Sequence, residues 1–246
     1  MPEIPTLVEM LKAGMHFGHR ISRGYPKMRP YIFGARNGVH IINLETTTVK
    51  LREALEYVKG VAAKGGTILF AGTKRQAQEI IGRYATACGM PFVNHRWLGG
   101  TLTNFSVIHA LVNRYLELQR DRESGELAKK YTKKEQLLFS RKIEELSERV
   151  GGIASLTRLP DAIFICDIKH DTTALAEAIA RHIPIVAICD TNVNPDPVKY
   201  PIPANDDAVR SLELIIKLIS EAVQEGKATK AASERLEEIK NMKPEA

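Results

Sequence analysis

Cysteine is scarce in this 246-residue chain: Cys88, Cys166 and Cys189 are the three, and no two of them have a paired spacing. That excludes a disulfide framework and any Cys-x-x-Cys redox or zinc motif. Cys166 and Cys189 sit inside apolar runs and read as buried strand residues, which fits a reducing compartment. Long apolar stretches are missing as well. No segment approaches 18 apolar residues, and the opening MPEIPTLVEML is too acidic and too short in apolar residues for a signal peptide. A cytoplasmic protein with no membrane partner is expected. Catalytic signatures are equally thin: G-x-S-x-G, H-E-x-x-H, a Walker A loop and a strand followed by G-x-G-x-x-G are all absent.

Acidic residues are lacking where basic ones gather. The totals are 35 Lys+Arg against 29 Asp+Glu, a formal net charge of +6, which is a modest excess. Its distribution says more. No acid lies between Glu9 and Glu45, a window holding Lys12, Arg20, Arg23, Lys27, Arg29 and Arg36. A second acid-free stretch, 80–116, carries Arg83, Arg96 and Arg114. Such segregation suggests one face made for a polyanion; a solvated basic surface without a partner is the bland alternative.

What is present reads as an α/β chain. Thr6 and Glu9 form a capping box that opens a short helix over 6–14. Tyr31–Phe33 and Val39–Ile42 flank Asn37-Gly38, the signature of a small hairpin. From there apolar runs bounded by turn residues (TILFAG, PFVNH, AIFICD, IPIVAICD) alternate with helical patterns over 46–64, 74–88, 171–182 and 206–224. Strands alternating with helices imply a parallel sheet covered on both faces. Residues 105–150 interrupt the rhythm as two highly charged helices broken near Ser124-Gly125, with a narrow stripe of Leu111, Leu118, Leu137, Leu138, Ile143, Leu146 and Val150. Two such helices can zip together antiparallel, so a coiled-coil hairpin inserted in a discontinuous domain (1–104 and 151–225) is expected. Residues 226–246 read as a polar C-terminal tail or extra helix.

Candidate sites follow from this layout. Gly72-Thr73-Lys74-Arg75 leads from a strand into a helix, where free amide hydrogens beside Lys74 and Arg75 suit an RNA phosphate. Arg96 and the lone Trp97, followed by two glycines, suit a phosphate clasp and a stacked base or ribose. Trp97 could equally plug the core. Asp167, His170 and Asp171 stand at a strand end, where α/β enzymes place their chemistry, but the Asp171-Thr172-Thr173 and Asn205-Asp206-Asp207 runs read more simply as helix caps. His16 and His19 are half of a metal site, which Asp190 or Asp206 would complete; zinc or magnesium would be the ion, and no cofactor is otherwise required. From the acid-free windows and these loops the RNA-binding set is Arg20, Lys27, Arg29, Arg36, Lys74, Arg75, Arg96 and Trp97, with His19, Asp190 and Asp206 as the metal set.

Three stretches together carry a family resemblance. AGMHFGHR, followed by PKM and RPYIFGARNGVHIINL, resembles the opening of the small-subunit ribosomal protein S-two family, bacterial type. FAGTKRQAQ and NHRWLGGTLTNF resemble its middle. The segment from Pro160 to Ala208 resembles its second signature, with Asp167, Asp171, Glu177, His182 and Pro184 at the family's spacing. The likeness spans about residues 5–225, and Tyr25 before Pro26 is a local departure from an Asn-Pro pair. It implies a doubly wound, flavodoxin- or Rossmann-like α/β domain with an inserted helical hairpin, and a structural rather than enzymatic role. It further implies binding to small-subunit rRNA at the head–body junction, contact with neighbouring small-subunit proteins, and help in recruiting ribosomal protein S-one.

Overall fold

The computed structural model describes residues 2–241. Thr6 caps α1 (Leu7–Lys12) in the capping box with Glu9 that the sequence announces. Three short strands follow: β1 (Phe17–Arg20), β2 (Ile32–Arg36) and β3 (Val39–Ile42), antiparallel in the order β1-β3-β2. The turn between β2 and β3 has φ of 50° at Asn37 and 75° at Gly38, as an Asn-Gly hairpin requires. β1 has no alternating pattern to betray it. It forms because Gly18 lets the strand close on the main domain, where an added Cβ would lie 2.6 Å from the Thr191 side chain.

The main sheet has five parallel strands: β4 (Ile68–Ala71), β5 (Phe92–Val93), β6 (Ala162–Ile165), β7 (Ile185–Cys189) and β8 (Tyr200–Pro203), in the order β5-β4-β6-β7-β8. The chain runs outward from β4 to β5, then returns past β4 and continues the other way, which is the flavodoxin-like winding. Alternate residues of each strand enter different cores. Phe70 and Phe164 pack with α2 (Leu44–Ala63), α3 (Gln78–Cys88) and α8 (Val209–Asn241) on one face. Leu69, Ile163 and Ile165 pack with α7 (Thr172–Ala180) and the helical insertion on the other. A sheet covered on both faces needs apolar residues at every position, so β4, β6 and β7 are visible as unbroken apolar runs.

β8 was hidden by its prolines. Pro201 and Pro203 cannot donate to a ladder, and they are tolerated because β8 is an edge strand. α3 starts at Gln78 rather than Lys74, so Lys74 lies in a loop and not at a helix N-terminus. The last helix does not stop near residue 224: α8 continues to Asn241, so the tail read from 226 is helical as far as the described residues go, and 242–246 lie outside them. Gly226 permits this by close packing on α2, where a Cβ would meet the Lys59 carbonyl at 2.5 Å.

The insertion consists of α4 (Phe105–Glu123), α5 (Glu126–Lys130) and α6 (Lys133–Val150), with Gly125 at φ 76° making the break. Its seam joins Ile108, Val112, Tyr115 and Leu118 to Ile143, Leu146 and Val150, and runs into the core beneath the sheet. Leu137 and Leu138, expected in the stripe, are instead exposed.

Candidate nucleic-acid interface

The C-terminal ends of the parallel strands, where this winding places its loops, are covered by the N-terminal segment. His19 N donates to Thr191 Oγ1 at 2.8 Å, Tyr25 N to the Thr191 carbonyl at 2.8 Å, and Asn205 N to the Met15 carbonyl at 3.1 Å. These bonds bring the basic window 20–36 to the sheet end that also bears Arg75, after β4, and Arg96, after β5. Arg20, Arg23, Arg29, Arg36, Arg75 and Arg96 are all exposed. Among the described residues none of their guanidinium groups meets a carboxylate. Lys27 is exposed too, but its ammonium pairs with Asp196.

Beneath this arginine surface lies a buried ionic cluster. Lys74 is only 15% exposed, and its ammonium reaches Asp207 at 2.7 Å, Asp206 at 2.9 Å and Asp167 at 3.0 Å. Asp167 also accepts from the amides of Lys169 and His170, and Asp171 from the amide and hydroxyl of Thr73. Asp171 is therefore no side-chain cap for α7, although it occupies the N-cap position. Burial, with Asp167 and Asp190 nearby, pushes the Asp206 carboxyl up to about 7, against the pull of Lys74. Burial works against ionisation of Asp207 also, yet Lys74 and His19 hold that carboxyl below its ordinary value. Burial alone would lower Lys74, but its three carboxylate partners raise it well above the usual lysine value. These strand-end acids are joined to loops and to one lysine, and the Thr73 hydroxyl that meets Asp171 also lies 2.9 Å from His170 Nδ1.

His19 stands at the rim of the cluster. Its Nδ1 is 3.1 Å from Asp190 and its Nε2 3.5 Å from Asp207. The hydrogen bond to Asp190 raises its pKa, with burial opposing. The atoms that could bind a cation come from His19, Asp206 and Asp207, within 4.8 Å of one another. Asp190 joins through His19, while its own oxygens also take the Thr191 hydroxyl at 3.0 Å. Asp207 is the member the sequence reading missed, because only folding turns it toward His19.

Two members of the RNA-binding set change character. Lys74 is enclosed by carboxylates, so its charge is already neutralised within the protein. Trp97 is 8% exposed, and its indole N–H donates to Glu177 at 3.1 Å, so it fills the core instead of offering a stacking face. Glu177 is the organiser of that loop. Besides Trp97, its carboxylate accepts from Gly100 N at 2.8 Å, Leu102 N at 2.8 Å, Thr103 N at 3.0 Å and Thr103 Oγ1 at 3.1 Å. Burial raises its pKa, but these donors outweigh it and hold the carboxyl below its ordinary value. A lone acid within the apolar run ALAEAIA was the available signal. With the loop anchored, Arg96 beside Trp97 stays exposed.

Residues 10–226 match a protein family described as Ribosomal protein S2. The chain belongs to that family. Among its relatives, the small ribosomal subunit protein uS2 of Acidothermus cellulolyticus is 48% identical over 94% of this chain and 84% of its own length. That of Psychrobacter cryohalolentis is 50% identical over 91% and 85%, and that of Corynebacterium urealyticum 48% over 93% and 85%. A member of the ribosomal protein S2 family is a structural protein and not an enzyme. Among the described residues no helix is long and apolar enough to cross a membrane.

Proposed function

We propose that the protein is a cytoplasmic component of the small ribosomal subunit that docks on rRNA at the head–body junction through arginines ringing the C-terminal end of its sheet. One observation carries the reading: Arg20, Arg23, Arg29, Arg36, Arg75 and Arg96 are exposed at one end of the molecule with no carboxylate partner among the described residues. Guanidinium groups free of internal partners neutralise backbone phosphates and release counterions. Contacts of this kind, made from loops, suit the shape of folded RNA more than a base code. Neighbouring small-subunit proteins, and ribosomal protein S-one on the assembled particle, are the protein partners of this reading, with the helical insertion as a coiled-coil arm reaching toward them.

The test is sedimentation of lysates on sucrose gradients. The wild-type chain is expected to travel with the small subunit, and a variant with Arg20, Arg36, Arg75 and Arg96 changed to Glu to stay near the top. Subunits left without the chain should carry less S-one. Equal incorporation of the variant would contradict the docking mechanism.

A second reading concerns the His19 cluster. One imidazole and nearby carboxylates are a donor set that suits zinc, and the carboxylates alone suit magnesium. A divalent ion there would be held by His19, Asp206 and Asp207, with Asp190 orienting the imidazole from its other nitrogen. Metal analysis of the purified protein should find about one ion per chain, reduced in His19→Ala; a wild-type chain with no stoichiometric metal would end this reading.

A further inference from the structure

The small antiparallel sheet has a face of which the docking mechanism uses only Arg20 and Arg36. Directly opposed residues of antiparallel strands share a face. One row across the sheet is therefore Arg20, Val39 and Arg36, and the next is Phe17, Ile41 and Gly34. Phe17 is 50% exposed, and the space above Gly34 is open, with nothing within 4 Å of where a Cβ would stand. A register shift in β2 falls between Ile32 and Gly34, and Phe33 occupies the extra position with 79% of its surface exposed. Bulges re-aim side chains, and this one aims a phenylalanine away from both cores. Single exposed apolar residues are ordinary. Here Phe17, its ring 4.0 Å from that of His16, lies on a face whose neighbouring row ends in Arg20 and Arg36, neither with a carboxylate partner among the described residues, and Phe33 stands exposed at the bulge beside it.

We propose that this face is a stacking platform for unpaired nucleobases, with Phe33 as the main stacking residue and Arg20 and Arg36 meeting the flanking phosphates. Charge selects the occupant. No acid lies between Glu9 and Glu45, and Asp207, which borders the Arg20 end, is already held by Lys74 at 2.7 Å and His19 at 3.5 Å. A protein partner would find no carboxylate on these strands to pair with its cations, whereas RNA offers phosphates to the arginines and π-faces to the rings. The assignment rests on the rRNA-docking reading and refines it: part of the bound RNA is single-stranded at the hairpin.

The experiment measures affinity of the intact protein for protein-free small-subunit rRNA across a salt series, for wild type, Phe33→Ala, Phe33→Tyr and Arg20→Glu/Arg36→Glu. Stacking of one base predicts about tenfold weaker binding for Phe33→Ala at every salt concentration, with the salt slope unchanged. Phe33→Tyr should bind as wild type, and the arginine variant should lose affinity with a shallower slope. Phe33 is too exposed for its loss to unfold the chain, and thermal melts of each variant verify that. If Phe33→Ala binds as wild type while the arginine variant is weakened, the platform is wrong and the docking reading survives. If neither change weakens binding, both are wrong.

Discussion

Lys74→Met should destabilise the protein by about 3–5 kcal/mol at pH 8, the usual consequence of removing one partner from a buried ionic group. Asp206 and Asp167 would keep their burial and lose the ammonium 2.9 and 3.0 Å away. For a domain of this size that corresponds to a melting temperature lower by about 6–20 °C. The deficit has a pH signature. A carboxyl raised in the folded state contributes stability that is complete below its unfolded value and lost as pH rises through its folded value. Asp206 already stands at about 7 with Lys74 present, and without Lys74 it moves higher. The variant should therefore recover toward wild type between pH 8 and pH 5, where the carboxyl is protonated in both. Thermal melts at the two pH values decide this. A Lys74→Met protein that melts like wild type at pH 8 would show that the cluster does not need its lysine, and would reopen a direct phosphate role for it.

Glu177→Ala should be comparably severe, about 3–5 kcal/mol, because four N–H donors and a hydroxyl lose their acceptor inside the protein. Glu177→Gln should recover only part of that, since its amide nitrogen faces donors. Trp97 is the only tryptophan, so its emission reports the site directly. A red shift in the Ala variant, before global unfolding, is expected as loop 97–103 opens to water. The wild-type contribution is present above the ordinary carboxyl value and lost as pH falls through the lowered one, so the gap between wild type and Glu177→Ala should narrow in acid. Unchanged Trp97 emission in the Ala variant would mean the loop is held by apolar packing alone.

These two residues mark where sequence reading stops. Strands buried on both faces announce themselves as apolar runs, and an Asn-Gly turn or a Thr-x-x-Glu box is a local code, so β4, β6, β7, the hairpin and α1 were legible. β8 carries Pro201 and Pro203, and β1 contains Gly18 and His19; both are strands by virtue of what they pack against. Charge counting was right for some cations only: among the described residues Arg20, Arg29, Arg36 and Arg96 stayed without acid in space, whereas Lys27 and Arg83 from the same acid-free windows pair with Asp196 and Glu213. Lys74 was misread for the same reason: Asp167, Asp206 and Asp207 are remote in sequence and converge on it through the winding of the sheet. Trp97 and Glu177 are likewise 80 residues apart. Charge counting along a chain sees neighbours in sequence, whereas a buried ion pair is a property of topology.

The claim on which the function rests is that unpaired arginines at one end of the sheet bind rRNA by neutralising phosphates. Its most direct test is the salt dependence of affinity for protein-free small-subunit rRNA. With about six contacts, log K should fall against log salt with a slope of about −4 to −5, and changing Arg20, Arg36, Arg75 and Arg96 to Glu should flatten that slope by about 3. A wild-type slope near zero, or one that the four changes leave untouched, would contradict the account.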